Sequence, residues 1–359
     1  MRQDYQYIVC TECVTYNHAP YIVDAMNGFT MQKTTFPVVN LIVDDASSDG
    51  EQDIIREYLR NCFLAPFHTE QTDDFELVCA NHKTNNNCTF AVYFLKYNHY
   101  QSKKTKIHYF TEWETKTKYV AMCEGDDYWL DPNKLQKQFE LLESNQDYSM
   151  VCNRTKLLSV RKNRFIGENY CYNKSRIVDP KDVINRTGLF ISTCSIFYRS
   201  VIKVDMPSYC AKCKVGDYPL QILCAMRGLV YYMDDIMSVY RVQNSNSWMG
   251  RQQWGSALVE RCEVIKSQVA MFKGFAIDYP KYSNILKNKV SEHINRNVPN
   301  RLAKKSVVEK YLSVFTDEIE HYSMTWKIDL WFRRCRIPLV REVYTRLFLR
   351  KYFQRKILY

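Results

Sequence analysis

The sequence predicts an α/β fold on a mostly parallel sheet, and three observations carry that expectation. Short apolar runs alternate with amphipathic stretches; the runs near the N-terminus, after Phe36 and after Tyr119 each end in a polar cluster; and only helical periodicity remains beyond about residue 250. Ligands of such sheets bind at the carboxyl ends of the strands, so the polar clusters mark the expected site.

Residues 7–15 read as a buried strand that ends at the turn Tyr16-Asn17-His18-Ala19-Pro20 and leads into a helix through about Gln32. A second strand over 36–43 ends in Asp44-Asp45-Ala46-Ser47-Ser48-Asp49-Gly50, before a helix over 52–59. A short third strand spans 76–80, and the polar stretch 81–87 is expected to precede a helix. The strand at 119–123 is followed by a helix over 131–145, with Asp131 as N-cap, Pro132 in the first turn and an apolar stripe of Leu135, Phe139 and Leu142. After a strand at 148–153, residues 154–190 read as polar and irregular, a segment suited to acceptor specificity or a mobile lid. The apolar run 191–199 comes next, then a helix opening at Gly216-Asp217 and ending at Gly228, a strand at 229–233 and a further extended run at 238–242. We therefore expect a catalytic unit over 1–250 and a helical extension over 251–359.

At 359 residues, with 46% hydrophobic and 25% charged side chains, the chain is an ordinary folded protein of about two domains. It has no apolar run near the ~18 residues that span a bilayer, and Met1-Arg2-Gln3-Asp4 leads into a strand, which predicts a cytosolic protein. The 14 cysteines are scattered through apolar patterns and read as small core hydrophobes. Cys10 and Cys13 have CxxC spacing but lie on a strand, where residues three apart face opposite ways; Cys210 and Cys213 lack a second pair to complete a zinc site.

The formal charge of +11 is uneven. From Trp326 to Tyr359 ten Lys or Arg stand against Asp329 and Glu342, leaving the rest of the chain close to neutral. Trp331, Phe332, Ile337, Leu339, Val340, Val343, Leu347, Phe348, Phe353 and Leu358 interleave with those cations at partly helical spacing. Such a tail suits an anionic membrane surface, or a packed helix with a solvated charged face; no motif supports nucleic-acid binding.

The most informative segment is Val120-Ala121-Met122-Cys123-Glu124-Gly125-Asp126-Asp127-Tyr128-Trp129, where an apolar run ends in three carboxylates within four residues. Adjacent carboxylates are costly to keep ionised without a cation, hydrogen bonds or water. Mg²⁺ and Mn²⁺ take oxygen ligands, usually one or two protein carboxylates plus substrate phosphates, so this turn suits a metal-diphosphate complex. The alternative, a helix-capping turn, is already served by Asp131.

Thr15-Tyr16-Asn17-His18, Val43 to Gly50, Glu124 to Trp129, Gly216-Asp217, and Tyr240-Arg241 followed by Ser245 and Ser247 occur in an order and spacing that resembles family 2 glycosyltransferases of the GT-A fold, over roughly residues 5–250. The likeness is greatest to bacterial members that build capsule, lipopolysaccharide O-antigen or other surface polysaccharides. It implies a Rossmann-like mixed sheet flanked by helices, with an α-helical C-terminal extension. It also implies a metal-dependent inverting transfer of a hexose-type residue from a nucleoside-diphosphate sugar, a UDP-sugar favoured, to a saccharide or lipid-linked saccharide, with the protein peripheral at the inner face of the plasma membrane. Thr15 and Asn17 would lie beside the nucleotide and Asp44 or Asp45 would meet base and ribose, while Ser47 or Ser48 caps the next helix. Glu124-Gly125-Asp126 occupies the DxD position, with Glu124 for the usual aspartate. Asp126 would bind Mn²⁺ or Mg²⁺ directly, with Asp127 assisting it or holding donor hydroxyls. Asp217 would be the base that takes the acceptor proton, and Arg241 would approach the diphosphate. Gln243 stands where the family often carries a histidine, and Gly216 where it carries an acid. These departures leave a second reading, a membrane-surface scaffold that keeps the fold without turnover.

Overall fold

The computed structural model describes residues 5–186, 190–243, 258–299 and 305–334. The chain forms two compact units, residues 1–206 with 221–247 and residues 207–220 with 248–359.

The first unit is organised by twelve strands among the described residues: β1 (Val9–Thr15), β2 (Val38–Asp44), β3 (His68–Gln71), β4 (Phe75–Asn81), β5 (Cys88–Leu95), β6 (Tyr119–Met122), β7 (Tyr128–Trp129), β8 (Tyr148–Ser159), β9 (Arg164–Asn169), β10 (Arg176–Ile177), β11 (Phe197–Arg199) and β12 (Leu229–Val242). They form one sheet in the order β10-β12-β8-β11-β6-β1-β2-β5-β4-β3, with β7 beside β12 and β9 beside β8. β5, β2, β1 and β6 run parallel, and antiparallel strands extend both edges. Every residue of β2 and β5 is buried, as expected of parallel strands covered on both faces.

Helices α1 (Ile22–Thr30), α2 (Glu51–Cys62) and α4 (Lys134–Ser144) cover one face through Met26, Phe29, Ile55, Leu59, Leu135 and Leu142. Helix α3 (Ile107–Glu114) covers the other with Tyr109 and Phe110 against Val39, Leu41, Val43 and Tyr93. Cys13 belongs to the first core and Cys10 to the second, as their spacing on one strand requires. Beneath α3, Lys203 Nζ reaches Glu12 Oε1 at 2.5 Å and Glu114 Oε1 at 2.7 Å. Burial and the neighbouring Glu12 push Glu114 well above the usual carboxylate range.

Several expectations are corrected. The helix expected after residue 87 is strand β5: Cys88-Thr89-Phe90-Ala91-Val92-Tyr93-Phe94-Leu95 is a short run, apolar apart from Thr89, and its β-branched and aromatic side chains fill the layer beside β2. Strand β3, unrecognised in the sequence, is exposed along its length and so carries no apolar signal. Residues 154–190 are ordered in part by the extension of β8 to Ser159, by β9 and β10, and by α5 (Pro180–Arg186). Only Phe197–Arg199 of the run 191–199 is strand, whereas 229–242 is one strand interrupted by register shifts. Asp131 Oδ1 accepts from Asn133 N at 2.8 Å, and α4 begins at Lys134.

In the second unit, α6 (Ser208–Ala211) precedes α7 (Asp217–Arg227), whose first residues belong here. The described remainder is helical: α8 (Leu258–Asp278), α9 (Ser283–Arg296), α10 (Lys305–Ser313), α11 (Thr316–Glu320) and α12 (Met324–Arg334). α8 and α9 pack through Phe272 and His293, whose rings lie 5.8 Å apart. Burial, and then the charges of Lys289 and Arg296, take His293 down to about 3. No helix among the described residues is long and apolar enough to cross a membrane. Ser245, Ser247 and the tail from Ile337 to Leu358 lie outside the described residues.

Candidate active site

The site is assembled where β1, β2 and β6 end. Thr15 pairs with Asp44 in the register of β1 and β2, placing the first two polar clusters side by side. Beyond β6 the chain continues the β1 ladder, with Cys123 N donating to Glu12 O at 3.0 Å and Gly125 N to Val14 O at 3.1 Å. This brings the acidic turn against Thr15. A Cβ on Gly125 would stand 2.2 Å from Thr15 Oγ1 and 2.6 Å from Thr15 Cβ, so glycine is what permits the approach.

One buried carboxylate, absent from the sequence reading, ties the loops together. Glu51, the first residue of α2, accepts from Thr15 Oγ1, from His18 N at 2.8 Å and from Ser47 Oγ at 2.8 Å. Burial, foremost, pushes its pKa upward. Asn17, at φ 57°, adds a second tie, its N–H donating to Ser47 Oγ at 2.9 Å and its Oδ1 accepting from Ser48 N at 2.8 Å. The spacing Ser48-x-x-Glu51 matches a capping box and was the available signal for Glu51. Neither serine caps α2, however. Gly50 precedes it, and Asp49 Oδ1 accepts from Glu51 N at 3.2 Å.

The two aspartates after β2 differ. Asp45 is consumed by the fold: Oδ1 accepts from His99 N at 2.7 Å, and Oδ2 from Lys106 Nζ at 2.7 Å and Tyr100 N at 3.3 Å. Asp44 Oδ1 accepts from Ser47 N at 3.1 Å and Gln52 Nε2 at 2.5 Å, while its buried Oδ2 has no hydrogen-bond partner among the described residues. Burial raises the pKa of Asp44, and the charge of Asp45 adds to the shift.

The acidic turn is also divided. Glu124 is exposed. Asp126, 8% exposed, faces His18 with Oδ2 3.8 Å from Nε2. His18 Nδ1 in turn lies 3.2 Å from Thr15 Oγ1. Asp127 is buried: Oδ1 accepts from Arg241 N at 2.8 Å, and Oδ2 has no hydrogen-bond partner among the described residues. Burial, then the charge of Asp126, push Asp127 well above its ordinary pKa. The guanidinium of Arg241 donates to Asp126 O at 2.7 Å and to Asp24 Oδ2, and lies 4.8 Å from the ring centroids of both Tyr21 and Tyr128. Arg241 thus braces the acidic turn against α1. Thr15, Asn17, Asp44, Asp45, Glu124, Asp126, Asp127 and Arg241 all belong to the first unit, and Asp217 opens α7 in the second.

Among the described residues no three His, Cys, Asp or Glu side chains gather as a ready metal cage. Mn²⁺ or Mg²⁺ in a diphosphate site needs only one or two protein carboxylates. Asp126, whose only ionisable partner within ion-pair distance among the described residues is His18, and the exposed Glu124 across Gly125 are an oxygen donor set that fits such an ion.

No known family profile matches the chain. Over 241 residues it is 27% identical to the uncharacterized proteins Mb1547 of Mycobacterium bovis and Rv1520 of Mycobacterium tuberculosis, an alignment that covers 66% of this chain and 59% of each of them. It therefore spans less than two thirds of the length of those relatives. Among solved structures, S. aureus TarS 1–349 in complex with UDP matches 94% of this chain and 87% of its own, with TM-score 0.56 and 14% identity. A second TarS structure matches 94% of this chain and 52% of its own, with TM-score 0.57. The architecture is the GT-A fold, a mixed sheet flanked by helices with further helices at the C-terminal side.

Proposed function

We propose that the chain is a metal-dependent inverting glycosyltransferase of family 2 that moves a hexose-type residue from a nucleoside-diphosphate sugar to a saccharide or lipid-linked saccharide of a cell-surface polysaccharide. The observation that carries the reading is the convergence of three strand ends on one braced acidic turn whose Asp126 carboxylate is not consumed by the fold. UDP is the favoured nucleotide, supported by its presence in the similarly folded TarS.

Asp126 and Glu124 would hold Mn²⁺ or Mg²⁺, which when bound supplies positive charge for the departing diphosphate. Arg241 positions that pair rather than contacting the donor, because it is committed to holding the turn, while Asp127, held through Oδ1 alone, keeps Oδ2 to assist the pair. Of the two aspartates after β2, Asp44 is the one with an oxygen to spare for nucleotide. Asp217 takes the proton from the acceptor hydroxyl as that oxygen attacks the anomeric carbon.

The reading extends to a peripheral location at the inner face of the plasma membrane. On α12, Met324, Ile328 and Trp331 are 72%, 47% and 60% exposed at helical spacing, beside exposed Lys327 and Arg334. Its inner side is anchored by Asn295 Nδ2, which donates to Asp329 Oδ2 at 2.7 Å. An apolar stripe flanked by cations suits an anionic lipid surface. Flotation with vesicles of phosphatidylglycerol and phosphatidylcholine should carry the protein upward, and Trp331→Ala should lower that fraction; equal flotation with phosphatidylcholine alone would remove the charge argument.

Calorimetry with UDP and Mn²⁺ tests the enzyme reading. Binding is expected with metal, lost on chelation and lost in Asp126→Asn, with Asp217→Asn blocking transfer while leaving UDP binding intact. Failure to bind any nucleoside diphosphate would favour a scaffold without turnover.

A further inference from the structure

A hollow of about 440 Å³ lies on the β8–β9 hairpin, lined by Lys156, Phe165, Gly167, Glu168 and Tyr170. Its place in the sheet connects it to the acidic turn. Lys156 pairs with Val239 on one side and with Glu168 on the other; Leu158 pairs with Arg241 and with Phe165; Val239 pairs with Tyr128. Residues opposite one another across strands share a face, and so do residues two apart along a strand. Lys156, Phe165 and Glu168 therefore stand on the face that carries Arg241 and Tyr128, Tyr170 lines the same hollow just past β9, and Arg241 holds Asp126 O. From β12 to β9 is two strand spacings, about 10 Å.

The lining has the chemistry of a sugar subsite. Phe165 is 50% exposed, with Lys156 Nζ 5.2 Å from its ring centroid. Arg154 lies 4.8 Å from the Tyr170 centroid and is fixed by Glu168 at 3.1 Å and Asp234 at 2.7 Å. Gly167, at φ 154°, has nothing within 4 Å of where a side chain would begin, which keeps the hollow open. A pyranose ring presents a patch of C–H groups bordered by hydroxyls, and the half-exposed Phe165 and partly exposed Tyr170, flanked by Lys156, Glu168 and the fixed Arg154, complement both. Small-ligand sites combine the same elements, with volumes of roughly 300–1,000 Å³. An anion is the poorer occupant, since Glu168 stands among the cations.

We propose that this hollow is an acceptor subsite, holding a saccharide residue of the acceptor a short reach from the one that reacts. The proposal rests on the glycosyltransferase reading. The full chain would be applied to a printed glycan array, with Phe165→Ala and Tyr170→Ala alongside and melting temperatures confirming that both fold. Wild type should retain a subset of glycans, and each variant should bind them about tenfold more weakly with unchanged UDP binding by calorimetry. Retention of no glycan, or equal retention by the variants, would overturn the subsite while UDP binding still supports the enzyme. Loss of UDP binding in the wild type would remove the enzyme reading beneath it.

Discussion

Gly125→Ala puts the architecture of the acidic turn to a quantitative test. The added carbon would lie 2.6 Å from Thr15 Cβ and 2.2 Å from Oγ1, whereas ordinary contact begins at 3.4 Å. The turn and β1 must part by about 1 Å to restore contact. Thr15 cannot yield easily: it is buried, hydrogen-bonded to Glu51 and set in a strand paired on both sides. Overpacking of this kind costs about 1–3 kcal/mol. Each kcal/mol corresponds to a fall in melting temperature of about 2–4 °C in a domain of this size. Since Asp126 is the next residue, on the proposed reading a displacement of about 1 Å should also lower transfer by about 100-fold. Differential scanning calorimetry reads the first effect, and UDP release with a turnover substrate the second. A variant that melts with wild type and binds UDP and Mn²⁺ unchanged would refute the close approach of the turn to β1.

Two further perturbations probe the supports of the site. Glu51→Gln puts an amide where Thr15, His18 N and Ser47 donate; leaving a buried donor unmet costs about 1–3 kcal/mol, and a urea midpoint equal to wild type would contradict the tie. Burial takes Lys134 down from 10.5 to about 8, with Nζ donating to Gln138 Oε1 at 2.8 Å. The unfolded chain therefore binds more protons than the folded one between those values, so this residue makes stability rise from about pH 8 to 10.5. Lys134→Met should flatten that slope, and an unchanged pH dependence of the melting temperature would show that Lys134 stays charged in the fold.

What the sequence made legible follows from how local each signal is. The strands ending at Thr15, Asp44 and Met122 announced themselves by apolar runs cut short by polar residues, and the acidic turn by its density of carboxylates. Cys88–Leu95 did not, because eight residues that are apolar apart from Thr89 suit a buried helix or a buried strand until β2 is known to lie beside them. The roles within the site were hidden for a related reason. Nothing near Asp45 in sequence foretells that His99 and Lys106 occupy its oxygens, and nothing near Arg241 foretells Asp24, Tyr21 and Asp126 as its partners. Such commitments are set by chain segments distant in sequence, and they decide which charged groups remain for a ligand.

The ties at Glu51 also govern motion. Its carboxylate accepts from the loop after β1 and from the loop after β2, while Asn17 links the same two loops through Ser47 and Ser48. Neither loop can lift without breaking bonds held by the other, so the amides of Asn17, His18, Ser47 and Ser48 should exchange with deuterium as one cooperative group. On the proposed glycosyltransferase reading, the nucleotide side of the site is then a single preassembled wall, and little ordering entropy remains to be lost there when a donor arrives.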